Sequence, residues 1–516
     1  MEAEHREKFA PELEFARRLE SEPDLAFLPE LYGRFPKAEF YLVGGAVRDQ
    51  LLGRQGFKDY DLVVRNVTLE ELSGSLAEAG SVDLVGRNFG VLKFWPKRGE
   101  AEPAREAVDI AWPRTETAGG SGGYRDFDVQ ADPALPIERD LARRDLTVNA
   151  IAWDMRLQRF IDPYGGREDI RSKTLRAVGE PAARFQEDYS RMLRVARLAC
   201  QLGFTIEERT WDAVRALMPR INDERAVLAD GREISERVVP YETIAKELFK
   251  AFDADPVRAL DLFEQCGALF QLMPELRLLS TCEQSPDHHR EGNVWTHTKL
   301  AMAKLVSPEF AARFPGERAG AETALAVLLH DIGKPATAKR AAGGFTFYNH
   351  EEVGSGLARQ IADRLKLASA PGRKISSERL AGLVKNHLFP NMVRVDEVRK
   401  TTLAKYFLAD RDAGRELLHL AFADASASLP GDGEPDLSNL DRLLTELSVL
   451  EKRSDCGSGS RSAQLLTGRE VMETLHLAPG PEIGRVLEEV KEAQLKGQIA
   501  TPDAAKSFIA GRYGAK

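Results

Sequence analysis

Asp59 and Asp61 stand at i and i+2 in the stretch YLVGGAVRDQLLGRQGFKDYDLVV, which runs from Tyr41 to Val64. On a strand that spacing points both carboxylates to one face. Two hard oxygen ligands side by side suit a Mg²⁺ ion that bridges a nucleoside triphosphate. About 15 residues upstream, Gly44 and Gly45 remove two Cβ atoms where a backbone must come close to something. The helix expected over Ala46–Leu52, carrying Arg48 and Asp49, would turn its first N–H groups toward whatever lies over the glycines. Phosphate fits that arrangement. Each half is common by itself, and the pairing of the two is the signal.

Further candidates follow. Asp109, at the centre of an expected strand Ala107–Ala111, is a third carboxylate for the metal. Arg143 and Arg144 precede Asp145, with Asn149 four residues on. Guanidinium groups can meet triphosphate oxygens. Asp145 and Asn149 would share one helical face and hold a ribose hydroxyl. Asp188, Arg191 and Arg194 step by three along an expected helix running on from Phe185. A carboxylate only accepts and a guanidinium only donates. Adenine and cytosine both present an amine donor beside a ring-nitrogen acceptor, and guanine and uracil present the reverse. Asp188 with Arg191 could therefore select ATP and CTP without a template.

A second set is built on histidine. Seven of the nine histidines fall between His288 and His419. His297, the pair His330-Asp331 in LAVLLHDIGKP, His350, His387 and Asp424 are candidate metal ligands, since neutral imidazoles with carboxylates suit a divalent ion. His288, His289 and His419 stay unassigned.

These residues need elements to hold them. Apolar β-type runs at Tyr41–Val43, Val91–Trp95 and Ala107–Ala111 read as strands, and Phe160–Gly166 as a strand ending in a turn. Thr117–Pro136, rich in Gly and Asp, reads as a mobile surface loop. From Phe185 onward the pattern is helical. Gly431–Pro435 and Ser454–Ser462 read as linkers, and the tail beyond them as helix, turn at Pro479-Gly480-Pro481, helix.

With 516 residues, 43% hydrophobic and 30% charged, the chain has the composition of a multidomain globular protein. It has no apolar run of about 18 residues, which argues against a membrane span. Its first residues lack a secretory h-region. Cys200, Cys266, Cys282 and Cys456 show no C-x-x-C spacing, consistent with a reducing cytoplasm. The net charge of −9 argues mildly against nucleic acid, yet Arg176, Arg184, Arg191, Arg194 and Arg197 fall close together and allow a local basic surface. Nothing in the sequence speaks to oligomeric state.

GGAVRD followed by DYD resembles the signature of the class II tRNA nucleotidyltransferase and bacterial poly(A) polymerase family. VGRNFG at Val85–Gly90, the R-x-E of Arg114 and Glu116, RRDLTVNA from Arg143, FIDPYGG, and EDYSR at Glu187–Arg191 follow in the family's order. The histidine pattern resembles the HD phosphohydrolase superfamily, with His350 and His387 matching its two-metal variants. The resemblance implies an α+β chain: a polymerase β-like head with a mixed sheet and helices, followed by all-α neck, HD and tail regions. The implied divisions are an N-terminal helical extension at 1–24, a nucleotidyltransferase head at 25–180, a neck at 181–280, an HD domain at 285–430 and a tail at 431–516. The implied activity is addition of CCA to a tRNA 3′ end from CTP and ATP. Mg²⁺ would sit on Asp59 and Asp61, and the triphosphate and sugar would meet Gly44, Gly45, Arg48, Asp49, Arg114, Arg144, Asp145 and Asn149. The base would meet Asp188, Arg191 and Arg194. The HD site would hold Ni²⁺, Mn²⁺, Co²⁺ or Mg²⁺. An A-only enzyme or a poly(A) polymerase shares most of these motifs. From another class, an HD phosphohydrolase with an RNA-binding head is the rival. The long Thr117–Pro136 stretch favours a final AMP step.

Overall fold

The computed structural model describes residues 12–54, 60–85, 91–97, 107–118, 120–123, 127–229, 232–341, 344–370, 376–431, 433–455 and 464–513. It forms two compact units, Met1–Ala251 with Asp261–Leu272, and Phe252–Leu260 with Met273–Lys516.

The first unit carries strands β1 (Glu39–Val43), β2 (Tyr60–Arg65), β3 (Gly80–Val85), β4 (Val91–Pro96), β5 (Val108–Ala111), β6 (Arg114–Ala118), β7 (Phe127–Ala131), β8 (Ala152–Asp154) and β9 (Arg159–Ile161). Seven of them form one mixed sheet in the order β3-β4-β5-β2-β1-β8-β9. β2 and β5 run parallel, and the other neighbours in this sheet are antiparallel. β1 is an interior strand, flanked by β2 and β8, as EFYLV with apolar residues on both faces allows, and Phe40 to Val43 are all buried. On one face Tyr41, Val43 and Val63 pack against Ile137 and Leu141 of the helix Ile137–Ala142, and against Ala150, Ala152 and Val178. Each of the Val, Ile and Leu side chains among them, fully buried, contributes about 1.5–3 kcal/mol. Residues 12–20 are helical, and Phe15 packs against Trp153 and Phe160 at 4.6 and 4.9 Å between ring centroids.

The α+β class stands, with local corrections. Thr117–Pro136 is not loop throughout, because β6 and β7 pair antiparallel from Arg114↔Ala131 to Ala118↔Phe127. The run from Phe185 is not one helix. Helix Pro181–Glu187 stops at Asp188, which is extended at φ −152°, and a second helix spans Ser190–Leu202. Asp188 Oδ1 accepts from the Ser190 N–H at 2.8 Å, the local competition by which Asp ends one helix and starts the next. Asp145 and Asn149 do not share an α-helix either, since only Thr147–Asn149 is helical, as a 3₁₀ turn. The mainly helical remainder of this unit also holds short strands, β10 (Thr174–Leu175) with β11 (Thr205–Ile206) and the hairpin β12 (Glu224–Ala229) with β13 (Arg232–Arg237).

The second unit is built on the helices Val294–Lys304, Ala321–Leu329, His350–Arg364, Ser377–Asn386 and Arg411–Ala427. Every residue of Ala321–Leu329 is buried, as its unbroken ALAVLL run requires, and His330 stands at its C-terminal end. Residues 464–513 enclose a small core of their own around Val471, Val486, Val490 and Ile509.

Candidate active sites

The turn after β1 brings the first set together. Gly44 has φ +73° and ψ −137°, a conformation open essentially to glycine alone. A Cβ at Gly44 would lie 3.0 Å from Arg144 Nη1 and 3.4 Å from Asp61 Oδ2. The missing side chain is thus the space between a guanidinium and a carboxylate. Gly44, Gly45, Arg48, Asp61, Arg144, Asp145, Asn149, Asp188, Arg191 and Arg194 all line one cavity of about 630 Å³. Arg143, Arg197, Lys246 and Glu247 also line it, so cations outnumber acids on its walls although the chain is acidic.

Three candidates fall elsewhere. Asp49 does not line the cavity. Its two oxygens take Arg48 Nε and Nη2 at 2.9 and 2.8 Å, so it aims Arg48. Arg114 lies on β6, outside the cavity lining. Asp109 is Asp61's register neighbour on the parallel strand β5 and pairs with Lys93 Nζ at 3.1 Å. Asp59, Glu116's side chain and residues 86–90 lie outside the described residues.

The remaining side chains are locked to one another. Arg48 Nη1 donates to Asn149 Oδ1 at 2.7 Å, and Asn149 Nδ2 donates to Asp145 Oδ1 at 3.1 Å. Arg194 Nε donates to Asp145 Oδ2 at 2.7 Å. Burial works against ionisation of Asp145, but Arg194 and Asn149 overrule it and hold its carboxyl well below the usual range. Asp145 also holds Arg194 charged. Arg143 and Arg144 both grip Asp140, which is fully buried. Arg191 donates to Glu187 Oε2 at 2.6 Å, while burial raises the Asp188 carboxyl, whose Oδ1 faces Ser190. Asp140, Glu187 and Glu247, which pairs with buried Arg197, are residues that sequence reasoning missed as holders of these arginines. The Asp140–Arg143 and Glu187–Arg191 spacings of i, i+3 and i, i+4 were the available signal.

Oxygen donors on adjacent strands, beside a cradle that a Cβ would fill, fit a hard divalent cation. The sheet, its carboxylates and this basic cavity define a polymerase β-like nucleotidyl-transferring head.

The second set converges in the helical unit. His330, His350 and His387 each donate Nδ1–H to the carbonyl three residues earlier, at 2.8, 2.8 and 2.6 Å. That fixes the tautomer and turns each Nε2 lone pair inward. His330 Nε2 lies 3.3 Å from His297 Nε2, and His350 Nε2 lies 3.3 Å from His387 Nε2. Asp331 lies between the pairs, with Oδ2 3.3 Å from His330 Nε2 and Oδ1 3.4 Å from His350 Nε2. Asp424 Oδ1 is 3.1 Å from His297 Nε2. Burial disfavours a charged imidazole, yet Asp331 and Asp424 push His330 up to about 10, whereas burial and His330 bring His387 down to about 4. Imidazole nitrogens and carboxylates buried face to face suit a shared positive charge, a proton or a metal ion. The groups His297–His330–Asp331 and Asp331–His350–His387 are each close enough to hold a metal ion. Sequence reasoning missed Glu291, whose Oε1 lies 2.8 Å from His297 Nδ1, and Lys334, whose Nζ lies 2.7 Å from Asp331 Oδ2. His419, left unassigned, pairs with Glu317 at 2.9 Å.

Two family models match the chain. The poly A polymerase head domain model matches residues 40–176 and the HD domain model matches residues 298–427. A multifunctional CCA protein of Halorhodospira halophila is 38% identical over 337 residues, 64% of this chain and 70% of that one. An A-adding tRNA nucleotidyltransferase of Deinococcus radiodurans is 33% identical over 476 residues, 91% of this chain and 94% of that one. The fold resembles the Bacillus stearothermophilus CCA-adding enzyme in complex with CTP, at 20% identity and TM-score 0.57, over 95% of this chain and 98% of that chain. The chain belongs to the class II tRNA nucleotidyltransferase and poly(A) polymerase family, and is an enzyme of that family.

Proposed function

We propose that the chain adds CMP, CMP and AMP in turn to a tRNA 3′ end, from CTP and ATP, with release of pyrophosphate. The observation that supports this most is the single cavity joining Asp61 and Gly44 to the Asp188–Arg191 edge. Arg48 and Arg144 would receive the triphosphate, and Asp145 with Asn149 would hold the ribose. Asp188 would accept from the exocyclic amine shared by cytosine and adenine, with Arg191 donating to the ring nitrogen. Asp61, with Asp59 and Asp109, would hold Mg²⁺, which when bound lowers the pKa of the attacking hydroxyl and neutralises the leaving group. The test is incubation of the purified chain with tRNAs ending before each of the three positions and with each labelled nucleotide in turn. Growth by C, C and A supports the proposal. Addition of A only, to ends already carrying CC, supports the A-adding reading that the Deinococcus radiodurans relative favours. Cys266 and Cys282, both buried thiols, suit work in the cytoplasm.

The converging imidazoles favour a second activity for the helical unit. We propose hydrolysis of a phosphate or 2′,3′-cyclic phosphate from an RNA 3′ end, which would leave a hydroxyl for the head to extend. His297, His330, Asp331 and Asp424 would hold one divalent ion, and Asp331, His350 and His387 a second. A bound ion would supply an activated water. Release of phosphate with Mg²⁺, Mn²⁺, Ni²⁺ or Co²⁺ tests it, and no cleavage with any of the four refutes it.

A further inference from the structure

His297 differs from the other three inward-facing histidines in what holds its outer nitrogen. The carbonyl three residues before it, at Val294, is engaged by the Thr298 hydroxyl at 2.9 Å. His297 Nδ1 instead meets the carboxylate of Glu291 at 2.8 Å. That carboxylate is itself fixed on every side. Its side chain is only 2% exposed, and the same Oε1 receives His289 Nδ1 at 2.7 Å. Its other oxygen accepts the Leu429 N–H at 3.0 Å. His289 stands edge-on to the His297 ring, at 5.2 Å between centroids and 86° between planes. Hydrogen bonds to an ionised acceptor are about twice as strong as those to a neutral carbonyl. An imidazole that donates to a carboxylate is a more basic, better-oriented ligand at its other nitrogen.

We propose that Glu291 is the positioning residue of the His297 half of the metal centre, fixing the His297 tautomer and making that half the tighter of the two. His330, His350 and His387 each donate to a backbone carbonyl, and although Glu351 Oε2 stands 3.7 Å from His350 Nδ1 it is beyond hydrogen-bond reach, so among the described residues the carboxylate bond behind His297 sets it apart. The inference rests on the metal-binding reading of the helical unit. It predicts that loss of the carboxylate weakens one metal site and spares the one held by Asp331, His350 and His387.

The experiment titrates the full chain, stripped of metal by a chelator, with Co²⁺. Visible absorption separates nitrogen-ligated Co²⁺ from Co²⁺ on the oxygen-only head. Glu291→Gln keeps an oxygen for the Leu429 N–H but loses the charge. It should weaken one of two nitrogen-ligated sites by about 10–100-fold and leave the other in place. Glu291→Asp should recover part of the loss. His289→Ala, which leaves the Glu291–His297 bond intact, should change affinity much less. The melting temperature of the metal-free protein separates structure from positioning. A Glu291→Gln protein that melts lower yet binds both ions as tightly as the parent overturns the assignment of Glu291 alone. A parent chain that binds no nitrogen-ligated Co²⁺ overturns the metal reading itself, and Glu291's role with it.

Discussion

Replacing Gly44 by alanine tests the geometry of the head at one atom. Two costs follow from the structure. At φ +73° and ψ −137° an L-residue is strained, by about 1–3 kcal/mol. The added methyl also meets Arg144 Nη1 at 3.0 Å and Asp61 Oδ2 at 3.4 Å, so the guanidinium must give by a few tenths of an ångström. Arg144 cannot give freely, because Asp140 holds its Nη2 at 3.1 Å. Displacements of about 1 Å at a positioned group cost on the order of 10²-fold in rate. Gly44→Ala should therefore lower kcat/KM by about 10–100-fold, equally for CTP and ATP, since the contact is with phosphate-facing groups rather than the base. Gly165→Ala is the control. Gly165 has φ +73° as well, but a Cβ there meets nothing within 4 Å. It should lose stability by roughly 1 kcal/mol in urea denaturation and keep its nucleotide incorporation. Primer extension on a tRNA lacking its 3′ end, with each nucleotide varied, reads the rates. A Gly44→Ala enzyme with parental kcat/KM, or one whose loss is no greater than that of Gly165→Ala, would refute the reading of Gly44 as the gap between Arg144 and Asp61.

Asp61→Ala should cut incorporation of both nucleotides by at least about 10³-fold while tRNA binding in a filter assay holds, and near-normal incorporation would remove Asp61 from the metal site. Asp188→Ala should raise UTP and GTP misincorporation relative to CTP and ATP by about 1–3 kcal/mol of lost discrimination, whereas a uniform loss would make Asp188 structural. Burial raises the Asp188 carboxyl above its usual value, so on acidification it loses its charge at a higher pH than an ordinary aspartate does. Discrimination in the parent chain should fade on acidification, and the Asp188→Ala profile should stay flat. Asp331→Ala removes the carboxylate shared by both histidine groups, so both ions and any phosphatase activity should go while addition to a clean 3′-hydroxyl survives, as metal analysis and gel assay would show.

The chemistry of both sites was legible in residue types and short spacings. Local geometry is set by the chain itself, so Gly44-Gly45 after an apolar strand and Asp109 within another could be placed without a fold. The run from Ala324 to Leu329, apolar throughout and ending at His330-Asp331, was equally plain. A helix break was harder, because apolar periodicity runs through it. At Asp188 a single side chain outbid the backbone, and only Asp before Ser190 hinted at it. What tertiary structure alone decided is convergence. Arg48 reaches Asn149 across 101 residues, and His297 meets Asp424 across 127. It also separated cavity-lining side chains from those that hold them: Asp49 turned out to aim Arg48, Asp140 to anchor two arginines, and Glu291 to stand behind His297. Each of those roles depends on which acid lies within about 3 Å of which nitrogen. Sequence spacing cannot supply that distance, because packing of the whole core sets it.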